Sequence, residues 1–461
     1  MNQPSQAVPV RRVGDNTLRT LTVPVVFVPG VMGSRLELGE VRWDPDALLH
    51  MARHWVFASA ETTRRQLSLV TDGRVMDTSD DAPKDRLSRG WGGLAWGFYG
   101  QFLHDLEAQR FASVSTPIYA VGYDWRQDNR TSGRAVATRI GEILQGHGAE
   151  RYFLVSHSMG GLVTRAMLKQ DAEIAAKAIG VVHIAQPALG ATVFYRRMFT
   201  GARKGLDGGF GIRNILGTSR ASFQTILSAL PGPMQLMVTP AYRDGNQPWL
   251  SITPFETAVR NPREVAWDTY LEPDSPPGLL AAAGSRHALS PALEGDMRDR
   301  MKDAESFHNW LGDYKHPKTW SIYGDGEETD MGVEFDLPPL DSRDLRMMPQ
   351  FGGPSGSAAP PTYTAERSDG KRFVYTDPNP ADRGLVPVRR KAGDGTVPAP
   401  SAQALFPGQD HAVEEHTTDY EQKRQFQVTG KAAEHDKICH HPDSERCLFD
   451  IMRHVLGGPT Q

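Results

Sequence analysis

The stretch "RYFLVSHSMGGLVTRAML", Arg151–Leu168, constrains the fold more than any other part of the chain. An apolar run suited to a buried strand passes through Ser-His-Ser-Met-Gly-Gly directly into a segment of helical periodicity, with no linker between them. A strand that feeds a helix in this way is half of a parallel βα unit, and parallel sheets need helices on both faces. Further strands of the right kind are present in "VPVVFVPGVMGS" (23–34), "STPIYAVGYDWR" (115–126), "AIGVVHIAQP" (178–187) and "KTWSIYG" (318–324). Between them, "SGRAVATRIGEILQGH" (132–147) places Val136, Ile140, Ile143 and Leu144 on one face of a helix, with Ser132 as its expected cap. The expected fold class is α/β, a mostly parallel central sheet between layers of helices.

The chain of 461 residues exceeds what one simple core takes, so insertions are expected. Residues 1–22 read as an N-terminal extension and 23–195 as the first part of the core, with an excursion over 42–101 rich in Trp and Gly. Residues 196–316 lack strong strand signals and read as a largely helical cap. The core then resumes over 317–461, interrupted by a loop-rich insertion at 325–390 around "GGPSGSAAPP". A net charge of −4 gives no basic footprint for nucleic acid, and no apolar run is long enough to cross a bilayer. The first twenty residues lack the apolar stretch of a secretory signal, so synthesis in the cytoplasm is expected, with export as an effector by a leaderless route a further reading.

Ser158 is the candidate nucleophile. A serine on a tight strand-to-helix turn is lifted to the top of the sheet, and the turn aims the next backbone N–H at the oxyanion of an attacked ester. Residues two before and two after must be small; Gly160 satisfies this, and Ser156 is the next smallest choice after glycine and alanine. The alternative is a strand ending in polar residues before an ordinary helix.

An activated serine needs a base and a carboxylate to orient it. "KAGDGTVPAP" offers Asp394 in a glycine-flanked turn, and Asp325 in "YGDGEE" competes because it follows a strand. Among the later histidines, His435 on the loop before the last helix is the expected base. His411 and His416 lie in an acidic loop, His440 and His441 read as surface residues, and His454 falls within the helix. Cys439, His440, His441 and Cys447 lack paired zinc spacing, so no metal or other cofactor is expected. The two cysteines, the chain's full complement, read as buried thiols in a reducing compartment or as a short-loop disulfide in an oxidising one.

Taken together, "VVFVPGVMGSRLEL", "YAVGYDWR", "SHSMGG", "WSIYGDG" and "GDGTVP" resemble the lecithin:cholesterol acyltransferase family, which includes lysosomal phospholipase A. "AQPALGATVFYRRM" adds some likeness to glycosylphosphatidylinositol inositol-deacylases. The resemblance implies an α/β-hydrolase fold with a cap or lid. It implies Ser158 as nucleophile, Asp394 as acid, His435 as base, and the backbone amides of Val31 and Met159 as the oxyanion hole. Tyr123, Trp125 and Trp96 are candidate substrate contacts, with packing near the site entrance the alternative for the first two and an aromatic core cluster for the third. The family's structural disulfides have no counterpart in this chain.

The implied activity is that of a serine esterase or lipase acting on lipid acyl esters through an acyl-enzyme. Its partners would be a lipid or ester substrate and, through the cap, transient contact with a membrane surface. An acyltransferase would use the same residues with an alcohol in place of water, and a non-enzymatic binding protein of the same fold is the remaining alternative.

Overall fold

A computed structural model describes residues 21–111, 114–202, 215–243, 245, 249–253, 289–336, 362–366, 372–376, 385–413, 419–430 and 433–457. The expected extension before residue 21 lies outside these residues.

Seven strands form the central sheet: β1 (Val25–Val28), β2 (Ile118–Ala120), β3 (Tyr152–His157), β4 (Ala178–Ile184), β5 (Thr319–Asp325), β6 (His411–Ala412) and β7 (Gln425–Thr429). Their order across the sheet is β6-β7-β5-β4-β3-β1-β2, and every pairing is parallel. The elbow strand β3 thus lies inside the sheet, flanked by β1 and β4. All of its residues are buried, as are those of β1 and β4, which is why these segments read as continuous apolar runs without polar alternation.

Two hydrophobic clusters cover the sheet's two faces, and the pleat sorts β1 between them. Val26 and Val28 join Leu154 and Val181 in one, while Val25 and Phe27 join Phe153, Val155 and Val182 in the other. The first face is covered by α2 (Asn129–His147) and α3 (Met159–Gln170), the second by α1 (Trp96–Ala108) and α7 (Pro442–Leu456). Each fully buried side chain of this size contributes about 1.5–3 kcal/mol of hydrophobic stabilisation.

Helix α2 begins earlier than expected. Its cap is Asp128, whose carboxylate accepts from the Arg130 amide at 2.8 Å. Ser132 lies within the helix and donates to the Asp124 carbonyl at 3.0 Å. The apolar periodicity starts at Val136 and conceals the polar first turn, which misplaces the boundary.

The region 196–316 supplies most of α4 (Thr192–Thr200), all of α5 (Arg220–Leu227) and α6 (Pro291–Leu311). It also contributes the strand Leu250–Thr253, which a purely helical reading omits. That strand pairs with Glu328–Asp336, which in turn pairs with Leu385–Lys391. Another hairpin joins Thr362–Glu366 to Arg372–Thr376. The interval 325–390 is therefore not simply loop-rich. "ETDMGVEFD" looks too acidic for a strand, but its buried Asp330 is held between Arg196 at 2.6 Å and Arg389 at 3.1 Å. Paired in this way, a carboxylate can sit in a strand that packs Met331 and Val333 into the interior. The excursion over 42–101 is likewise structured, with a small sheet of Leu36–Leu38, Val41–Trp43 and Gly73–Val75 tied down by the buried pair Arg35–Asp44 at 2.7 Å.

Candidate active site

Strand β3 ends at His157 and α3 starts at Met159, so Ser158 alone makes the turn. Its φ of 53° and ψ of −129° are a conformation that non-glycine residues seldom adopt. The turn is held by the Ser158 amide donating to Ile184 of β4 at 2.9 Å. A side chain on Gly160 would place its Cβ 2.4 Å from the Pro29 carbonyl oxygen, so glycine is required there. Ser156 meets the small-residue demand and does more: its hydroxyl is bonded to Nδ1 of His183 at 2.7 Å.

His435 Nε2 lies 2.8 Å from Ser158 Oγ, and its Nδ1 lies 2.7 Å from Asp394 Oδ2. The Asp394 backbone reinforces the pair, because its carbonyl accepts from the His435 amide at 2.8 Å. The other carboxylate oxygen accepts from the amides of Thr396 at 3.0 Å and Val397 at 2.7 Å, which fixes its orientation in the Gly-Asp-Gly turn. Burial alone would lower the pKa of His435, but the charge and hydrogen bond of Asp394 outweigh it and raise the value above normal. Such a histidine, bonded on both sides, can take a proton from Ser158 while Asp394 stabilises the imidazolium.

The two amides expected to receive an oxyanion flank the Ser158 turn in the chain's fold. Met159 is the first residue of α3, where an amide has no partner within the helix, and Val31 follows Pro29-Gly30 at the end of β1. The amide of Gly30, the residue before Val31, is already taken by the Tyr99 hydroxyl at 3.1 Å.

The competing candidates lie elsewhere. Asp325 accepts from the Gly326 amide at 2.8 Å. His411 is on edge strand β6, His441 caps α7, and His454 pairs with Glu421 at 3.1 Å. His416 lies outside the described residues. His440 bonds the Phe98 carbonyl at 2.8 Å and sits with Asp105 and Glu445, all three within 4.8 Å of one another. Burial and then the charge of Asp105 push the pKa of Glu445 up to about 7. Cys439 and Cys447 are buried free thiols.

Tyr123 and Trp125 are core residues, 1% and 0% exposed, with Trp125 edge-on to Trp43 at 5.2 Å. The Tyr123 hydroxyl and Trp125 Nε1 are buried without a hydrogen-bond partner among the described residues. Trp96 packs against Trp91 and His104 on α1. Tyr123 and Trp125 are thus packed in the interior, while Trp96 is partly buried.

Two residues beside Ser158, His157 and Tyr99, were given no part in the triad's geometry by the sequence. Nδ1 of His157 lies 3.0 Å from the Tyr99 hydroxyl, and Nε2 lies 2.9 Å from the His435 carbonyl oxygen. The only hint in the sequence is a histidine set between the two serines of the elbow.

A family model described as lecithin:cholesterol acyltransferase matches residues 99–260, a segment that contains Tyr99, the elbow and α3. The match spans less than half of the chain, whose fold is that of the α/β-hydrolases. This likeness supports an ester-acting enzyme, a hydrolase or an acyltransferase. No curated protein matches the sequence. Among solved structures, "The crystal structure of Tle4-Tli4 complex" has the same fold, with a TM-score of 0.68 at 18% identity over 95% of this chain and 99% of that one. Partial matches are found to the Bacillus licheniformis lipase BlEst2 (14% identity, 50% of this chain and 60% of that one, TM-score 0.22). Phospholipase PlaB from Legionella pneumophila matches similarly (13% identity, 48% and 37% covered, TM-score 0.18).

Proposed function

We propose that this α/β-hydrolase cleaves the acyl esters of lipids by a Ser158–His435–Asp394 triad. The observation that carries the reading is His435, bonded at once to Ser158 Oγ and to Asp394 although 277 residues separate it from the serine. His435 takes the Ser158 proton as Oγ attacks the ester carbonyl. The amides of Val31 and Met159 hold the resulting oxyanion, and protonated His435 then gives its proton to the departing alcohol. Water, deprotonated in turn by His435, releases the acyl group from Ser158 as a carboxylic acid.

Lipid as the substrate class is supported by the surface as well as by the family. Leu48, Leu49, Phe57 and Val70 are 76, 89, 83 and 94% exposed, the highest values among the described large apolar residues. They lie within the 42–101 excursion, which adds a second candidate surface for lipid contact beside the cap. Among the described residues, no helix is long and apolar enough to cross a membrane.

Transfer of the acyl group to an alcohol is the second reading, favoured by the family's name, and product analysis with and without an alcohol acceptor separates the two. A protein partner is supported by the Tle4-Tli4 structure, which is of a complex. The enzymatic reading is tested with a fluorophosphonate probe: it labels the wild type at Ser158 and leaves Ser158→Ala unlabelled. Equal labelling of the two proteins would refute the triad.

A further inference from the structure

We infer that Tyr99 and His157 are positioning residues that lock the oxyanion loop and the catalytic base to one another through the elbow. The inference rests on the Ser158 reading above. Its observations are four groups joined in series: the Gly30 amide, the Tyr99 hydroxyl, the His157 ring and the main-chain carbonyl of His435.

The chain of bonds has one consistent arrangement of protons. A carbonyl only accepts, so Nε2 of His157 must carry a hydrogen and donate to His435. Burial, and after it the charge of His435, lowers the pKa of His157 to about 3, so the ring is neutral and its Nδ1 is a bare acceptor. The Tyr99 hydroxyl therefore donates to Nδ1, and burial keeps that hydroxyl protonated. Its oxygen is left to accept from the Gly30 amide. Every donor meets an acceptor, and no member can reverse without stranding a buried neighbour.

What the series fixes is the geometry of both halves of the reaction. At one end, occupying the Gly30 amide orients Pro29-Gly30-Val31 so that the next amide, that of Val31, is left for the oxyanion. At the other, the His435 main chain is pinned while its ring stays free to exchange a proton with Ser158. The tolerances are small: a Cβ on Gly30 would lie 2.9 Å from Ser158 Cβ and 3.3 Å from His157 Nδ1. The His157 and His435 rings are 5.0 Å apart at 40°, so a shift of one displaces the other. Tyr99 is itself braced edge-on by Phe27 of β1 at 5.1 Å. Loss of the series should therefore slow acylation with little effect on substrate affinity.

The test compares wild type, Tyr99→Phe, His157→Phe and the double variant in turnover of a short-chain p-nitrophenyl ester, with melting temperature as the check on folding. Tyr99→Phe keeps the ring and removes only the hydroxyl. We expect its kcat to fall about 10–100-fold, in the range of a displaced oxyanion donor, with KM within about twofold. Because the two residues act in series, the double variant should be no more than about threefold slower than the worse single variant. His157→Gln, which retains a donor towards His435, should recover part of what His157→Phe loses. A Tyr99→Phe kcat within about threefold of wild type overturns the inference, and so do independent, multiplying losses. Should His157→Phe not fold, Tyr99→Phe decides alone. Fluorophosphonate labelling of wild-type Ser158 is run alongside: if it is absent, the triad reading itself has failed, whereas labelling with an unimpaired Tyr99→Phe refutes only the series.

Discussion

The hydroxyl of Ser156 and Nδ1 of His183 are hydrogen-bonded at 2.7 Å between neighbouring strands, with both side chains fully buried. The serine thus occupies the place where the nucleophile-elbow pattern more often has glycine, and it serves as the partner of an interior imidazole. His183 Nε2 has no partner, so Ser156 provides the ring's one hydrogen bond among the described residues.

Restoring glycine at this position should therefore harm the protein. Ser156→Gly leaves an imidazole nitrogen unsatisfied and should cost about 1–3 kcal/mol, measured by urea unfolding. Turnover per folded molecule should change far less than stability does.

In the proposed triad Asp394 acts through the tautomer and charge of His435. Asp394→Asn should lower kcat roughly 10³–10⁴-fold while leaving the protein folded, as shown by steady-state kinetics beside circular dichroism.

The pH profile follows from the same pair. His435 accepts a proton only when neutral, so kcat/KM falls as pH drops through its pKa. Because Asp394 holds that pKa above the ordinary 6.5, half-maximal activity should lie above 6.5 in the wild type. In the residual activity of Asp394→Asn it should move to lower pH.

Stability should fall in mild acid. Burial lowers His157 and His183 to about 3 and His308 to about 4, from an ordinary 6.5. Between those values and 6.5 the unfolded chain binds protons that the folded one refuses. Each histidine then removes about 1.4 kcal/mol per pH unit as pH falls. His435, with its raised pKa, works in the opposite sense, its stabilisation being present below 6.5 and lost as pH rises through the folded value. Glu445, raised to about 7, also gains stability as pH falls from there towards its ordinary value, and the three histidines outweigh these two groups. Urea midpoints between pH 7 and 5 measure the slope.

Interfacial activity should depend on the exposed apolar residues. Leu49→Glu and Phe57→Glu should reduce hydrolysis of phospholipid vesicles about tenfold or more, yet leave a soluble short-chain ester within about twofold. Equal losses on both substrates would dissociate this surface from lipid contact.

Much of this was legible in the sequence, for identifiable reasons. The strands β1, β3, β4 and β5 are buried on both faces and carry an unbroken apolar signal, and Ser158, Asp394 and His435 stand at turns whose composition marks them. The strand Glu328–Asp336 was hidden because its charge is neutralised by Arg196 and Arg389, distant in sequence. The burial of Tyr123 and Trp125 was not decided by the sequence, because an aromatic has the same signature in a core as at a site entrance. Tyr99 and His157 were invisible for a different reason: their roles lie in hydrogen bonds that span 58 and 278 residues.

The 277-residue interval between Ser158 and His435 has a bearing on the enzyme's earliest moments. A ribosome at 5–20 residues per second completes the elbow strand well before the base is made, roughly a quarter to one minute later. On the proposed triad, the nascent polypeptide carries Ser158 without its base throughout that interval.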